Sequence, residues 1–121
     1  MADHPNAALV RQYFEGEIED YANGIDDDVE WWEIGRDEPI IGKAALLAHM
    51  EEQAGLWDID GSVHDVVAND EHAVALLNAT GKRDGRTLDY KVAEIYHIRD
   101  GKVTHRWAFS DDTAAIAEFF S

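Results

Sequence analysis

The side chains considered for chemistry in this chain are carboxylates, phenols, imidazoles and guanidinium groups, and it contains no cysteine. Thiolate nucleophiles, disulfides and cysteine-held zinc are therefore excluded. Two glutamates stand in apolar company: Glu33 follows Trp31 and Trp32, and Glu94 is flanked by Ala93 and Ile95. Strict alternation along a strand puts Glu33 on the face of Trp31. A carboxylate in an apolar pocket is suited to proton transfer. The plainer readings are surface exposure for Glu33 and an ion pair with Arg106 for Glu94. Tyr13 lies on an apolar helix face, where a ligand-facing donor and a core tyrosine with one satisfied hydroxyl both fit. The six histidines show no metal-ligand spacing. His97 and His105 fall on paired strands with no evident third ligand, and His49 fits either the surface or a pocket entrance. Neither a metal nor a cofactor is called for.

At 121 residues the chain is long enough for one domain, 1–121, and short for two. A hydrophobic fraction of 45% suffices for a core. The formal net charge of -16 repels phosphate backbones and anionic membranes, which argues against nucleic-acid and membrane partners. Without cysteine or a secretion signal in Met1–Asn6, the expected location is the cytoplasm.

Periodicity supplies the elements that would position these residues. Ala8, Leu9, Tyr13, Ile18 and Tyr21 predict a helix from Pro5 to about Tyr21, closed by Asn23-Gly24. An acidic turn, Asp26-Asp27-Asp28, then leads into an aromatic, β-branched strand over Val29–Ile34. Gly35 to Gly42 reads as a loop and Lys43–Gln53 as a second helix, broken at Gly55. Four strands follow, Trp57–Ala68, Ala73–Arg83, Thr87–Ile98 and Lys102–Phe109, separated by Asn69-Asp70, Asp84-Gly85 and Asp100-Gly101. Asp111–Phe120 predicts a short terminal helix with Asp111 or Asp112 as its cap. The order is that of an α+β domain, helices gathered against one antiparallel meander.

Three segments in this order, Val10-Arg11-Gln12-Tyr13-Phe14, Asp37-Glu38-Pro39 through Gly42-Lys43-Ala44-Ala45, and Arg99-Asp100-Gly101-Lys102-Val103, carry a resemblance. Over nearly its whole length the chain resembles the SnoaL-like and ketosteroid-isomerase-like branch of the nuclear transport factor 2-like superfamily. The resemblance implies a cone-shaped barrel, a strongly curved antiparallel sheet closed by N-terminal helices in the cystatin-like manner, around a cavity and usually in a homodimer. Carried over residue by residue, the isomerase pattern makes Tyr13 the oxyanion donor, Glu33 the proton shuttle and Glu94 the protonated acid. Both acids are Glu where that enzyme has Asp. Such a trio suits proton transfer beside a carbonyl, which needs a base within about 3 Å of the proton and donors facing the enolate oxygen; ketosteroid isomerase is the standard example of a neutral acid used this way. Phe14, Trp31, Trp32, Met50 and Trp57 are the expected apolar walls.

Arg106 tests this assignment. A three-residue Arg99-Asp100-Gly101 loop sets Arg106 across from Glu94 on the same face, making Glu94 an acceptor in an ion pair rather than a donor; it also keeps His97 and His105 from pairing directly. A two-residue Asp100-Gly101 turn sets His105 and Trp107 there instead, in keeping with the alternation of Val103, Trp107 and Phe109. The three-residue loop is the expectation. Ala108 stands where SnoaL-like cyclases tend to have an acid, so a cyclase mechanism does not transfer directly. The leading expectation is a small-molecule pocket protein moving a proton beside the carbonyl of a small apolar compound. A non-catalytic binding or accessory domain of the same fold is the alternative, and an epoxide hydrolase is a third.

Overall fold

The computed structural model describes residues 4–15 and 22–120. Its elements, in chain order, are α1 (Pro5–Glu15), β1 (Ile25–Trp31), β2 (Ile40–Ile41), α2 (Lys43–Gln53), β3 (Asp58–Ala68), β4 (His72–Arg83), β5 (Arg86–Arg99), β6 (Lys102–Ser110) and α3 (Thr113–Phe119). They form one six-stranded sheet in the order β2-β1-β6-β5-β4-β3. The meander β3 to β6 is antiparallel throughout, and β1 adds to β6 in parallel. The predicted α+β class and sheet meander are therefore present.

The β4–β5 and β5–β6 hairpins turn on Asp84-Gly85 and Asp100-Gly101, with Arg83 opposite Arg86 and Arg99 opposite Lys102. All four turn residues have φ between 52 and 76°, the left-handed pair that a two-residue hairpin turn requires and that Asp-Gly accommodates. The expected three-residue loop at Arg99 is thus replaced by a two-residue turn. Arg106 nevertheless lies on the inner face. The register shifts between His97 and Ile98, so that Ile98 pairs with Val103 while His97 pairs directly with His105, leaving Thr104 as an extra residue. One inserted residue reverses the side-chain alternation beyond it. Val103 and Arg106 are both buried as a result, and Trp107 pairs with Ile95 on the outer face.

A second irregularity, between Val63 and Asp65, bends β3 in the same way. Curvature lets the sheet wrap α1, whose Ala7 and Val10 are buried with Ile25, Val29, Tyr96 and Val103. The first strand begins earlier than expected. Ile25, Val29 and Trp31 point inward, and the aspartates expected in a turn lie within it, Asp27 and Asp28 exposed. A break in the β1–β6 ladder between Ile25 and Glu30, with Asp26 Oδ1 accepting from the Asp28 amide at 2.9 Å, admits the acidic run. Beyond Glu15, the part of the first predicted helix from 16 to 21 lies outside the described residues. In α3 the cap is Asp112, which accepts from the Ala115 amide. No helix among the described residues is long and apolar enough to cross a membrane.

The outer sheet face gathers His72, His97, His105 and Trp107, with His72 and His97 rings 4.3 Å apart and His105 stacked on Trp107. Burial, then the neighbouring His72 and His105, hold the His97 pKa below the usual imidazole value against a smaller opposing pull from Glu71. The unfolded chain therefore protonates His97 first on acidification: this contribution to stability is complete above about pH 6.5 and is lost as pH falls from there towards the lowered folded value. H97Q is expected to flatten the loss of stability between pH 7.5 and 5.5, measured as the urea midpoint; an unchanged slope would contradict the assignment.

Candidate functional site

Small residues along the inner face of β4 make room for large ones opposite. Ala73, Ala75 and Ala79 pair with Tyr96, Glu94 and Tyr90 of β5. Between these strands, α1, α3 and the segment after β1 lies a cavity of about 670 Å³, with Tyr13, Glu33, Trp57, Tyr90, Glu94, Arg106 and Phe120 among its walls. That volume suits a small organic molecule.

At its base Arg106 is fixed from three sides. Its Nη2 donates to Glu94 Oε2 at 2.7 Å, its Nη1 to the Trp32 carbonyl at 2.8 Å, and its guanidinium carbon lies 4.7 Å from the centre of the Trp31 ring. The other carboxylate oxygen, Glu94 Oε1, accepts a hydrogen bond from the Tyr96 hydroxyl. Glu94 and Arg106 are each 9% exposed, so the ion pair works in a poorly screened setting where separating the partners is costly. With both oxygens accepting, Glu94 has the form of a held carboxylate and does not match the donating acid of the isomerase pattern.

Glu33 lies beyond the end of β1 rather than within a strand, yet still reaches the cavity wall. Its Oε1 accepts from His49 Nε2 at 2.7 Å. His49 comes from α2, whose start is tied to β1 by the Gly42 amide donating to the Val29 carbonyl at 2.8 Å. Gly42, at φ 94°, makes the bend between β2 and α2. The Glu-Pro-x-x-Gly segment thus sets the helix that delivers His49 to Glu33.

Tyr13 also lines the cavity, but its hydroxyl donates to the Gly24 carbonyl at 2.8 Å. Burial pushes its pKa above the usual phenol range. Phe14 and Trp57 line the cavity as expected. Trp31 and Met50 do not: Trp31 is 5% exposed, packed edge-on to Tyr96 and under Arg106, and Met50 packs partly buried against the core. Trp32 is likewise turned away, its indole donating to Glu30 Oε2 at 3.0 Å. Sequence reasoning missed Tyr90 and Phe120 as wall residues, although Tyr90 shares the alternation of Val92 and Glu94 and could have been found from it. Among the described residues no group of three or more His, Asp or Glu side chains is arranged to hold a metal.

Residues 7–106 match the family model of the SnoaL-like domain, and the chain belongs to that family. Its fold is that of nuclear transport factor 2-like proteins: it is similar to an NTF2-like protein of unknown function from Burkholderia pseudomallei K96243, with a TM-score of 0.82 and 15% identity over 98% of both chains. It is also similar to TerC, crystallised with polyporic acid (TM-score 0.81, 19% identity, 97% of this chain and 98% of that one). A third likeness is to an LEH-like epoxide hydrolase of M. tuberculosis (TM-score 0.77, 13% identity, 88% and 83%). No curated protein sequence matches the chain. At these identities the structural likeness speaks for the fold alone.

Replacing Arg106 by Met strands Glu94 in the interior. R106M is expected to cost about 3–5 kcal/mol in chemical unfolding, most of it regained in the E94L/R106M double variant. A cost under about 1 kcal/mol for R106M would mean that the pair is solvated.

Proposed function

We propose that the protein is an acid-base enzyme of the isomerase type, acting beside the carbonyl of a small, flat, apolar compound with Glu33 as the base. One observation carries this reading: Glu33 shares the cavity wall with the rings of Phe14, Trp57, Tyr90 and Phe120, and has one oxygen held by His49, which leaves its other oxygen to face a substrate. Glu33 would take a proton from the carbon next to the carbonyl. The C–H electron pair becomes the new C=C bond, the carbonyl oxygen gains the charge, and the proton returns from Glu33 to a carbon of the same conjugated system. The Glu94–Arg106 pair would act as a fixed polar floor that orients the substrate; Tyr13, its proton committed to Gly24, would serve as wall.

The binding-only alternative is favoured by the same held pair, since neither Glu94 nor Tyr13 keeps a free donor. The epoxide hydrolase alternative has two of its three groups in Glu94 and Arg106. We further propose a cytoplasmic homodimer joined through the outer sheet face, where Leu76, Phe109 and half-buried Trp107 present apolar surface. Sedimentation at the mass of one chain would remove the dimer from this account.

2-Tetralone in D2O reads the proton transfer directly by NMR. The wild type is expected to speed exchange of its α-protons with a basic limb in the rate profile, and E33Q to lower that rate by about 100-fold or more. Tight binding of the ketone without any exchange would favour the binding domain; turnover of an epoxide but no ketone would favour the hydrolase.

A further inference from the structure

We propose that Tyr90, not Tyr13, is the phenol that donates to the ligand's oxygen, and that the ligand is a flat aromatic ketone or its enol. This assignment rests on the proton-transfer reading for its catalytic meaning, and on the cavity alone for its binding meaning.

The two phenols on the wall differ in what their protons are doing. Tyr13 already donates to the Gly24 carbonyl. Tyr90 is 9% exposed, yet its hydroxyl makes no hydrogen bond among the described residues. Its oxygen is not sealed within protein atoms and so opens to the cavity. A phenol that faces the cavity with no protein partner keeps its donor position for a molecule bound there.

Its ring is also held in place. Ala79 lies opposite Tyr90 across the β4–β5 ladder, and the Phe120 ring meets it edge-on at 6.1 Å. Phe120 in turn packs edge-on against Trp57 at 5.2 Å. The seat for Phe120 is Gly81, where a Cβ would come within 2.8 Å of the Phe120 Cζ. Gly81 is not in the left-handed region, so nothing in its backbone calls for glycine; space for the ring does. Tyr90, Phe120 and Trp57 form an aromatic corner with one hydroxyl facing inward, which selects a planar apolar body bearing one acceptor oxygen.

Burial, and secondarily the charge of Glu94, raise the Tyr90 pKa. The hydroxyl therefore keeps its proton at neutral pH and is available as a donor when charge develops on a ligand oxygen.

The test uses the full chain with 2-naphthol, an aromatic enol, and naphthalene, the same body without oxygen, titrated by NMR. Y90F is expected to weaken 2-naphthol binding by about tenfold, the loss of one hydrogen bond, while naphthalene stays within about twofold; Y13F, at a wall position, is expected to move both compounds alike. Retained naphthalene binding also reports that Y90F is folded. Equal losses for both compounds in Y90F, or a selective loss only in Y13F, would overturn the assignment. Should these titrations come out as expected while E33Q leaves 2-tetralone exchange unchanged, the donor stands and the proton-transfer reading falls. A wild type that binds neither compound would end both.

Discussion

The extra residue at Thr104 decides which way the last strand faces. A two-residue Asp-Gly turn, continued without interruption, would carry Arg106 to the outer face and Trp107 inward. Inserting Thr104 opposite the His97–Ile98 step reverses this, and the guanidinium enters the interior diagonally across from Glu94. A buried carboxylate without that partner would carry a desolvation cost with only the Tyr96 hydroxyl to offset it. The polar floor and the position of the segment after β1 through the Trp32 carbonyl both follow from this one irregularity.

The cavity exists because the inner face of the sheet is uneven by composition. Ala73, Ala75 and Ala79 leave space in front of β4, while Tyr96, Glu94 and Tyr90 rise from β5 opposite them. The terminal helix closes one side, and glycines on facing segments let it approach closely. Gly35, where a Cβ would lie 3.0 Å from the Ala117 Cβ, plays for the start of that closure the part that Gly81 plays for Phe120. Packing at native density would otherwise fill such a space with side chains, so the alanines and glycines are what keep it available to a ligand.

Much of the fold was legible in the sequence, for physical reasons that can be named. The second helix and the meander strands were readable because Asp-Gly pairs punctuate hairpins and apolar alternation marks each strand. The first strand begins before the stretch that its sequence predicts, because three consecutive aspartates resemble a turn, whereas here they occupy an irregular stretch of the ladder. Glu33, Glu94, Arg106 and Tyr13 were each identified from their surroundings and do meet at one cavity. Apart from the Glu94–Arg106 pair, which the sequence reading names, their hydrogen-bond partners were not legible. Gly24 beside Tyr13, His49 beside Glu33 and Tyr96 beside Glu94 depend on three-dimensional placement that no spacing encodes. The bulge escaped notice for a similar reason: no glycine or proline marks Thr104, and Val103, Trp107 and Phe109 alternate as if the strand were regular.

Everything inside the cavity therefore depends on the register between β5 and β6. Interstrand NOEs between backbone protons of the uniformly labelled chain read that register directly. Contacts joining Ile95 to Trp107 and His97 to His105 are the expected result. Contacts joining Ile95 to Arg106 and Tyr96 to His105 would mean an uninterrupted hairpin with Arg106 on the outside, and the site described above would not exist.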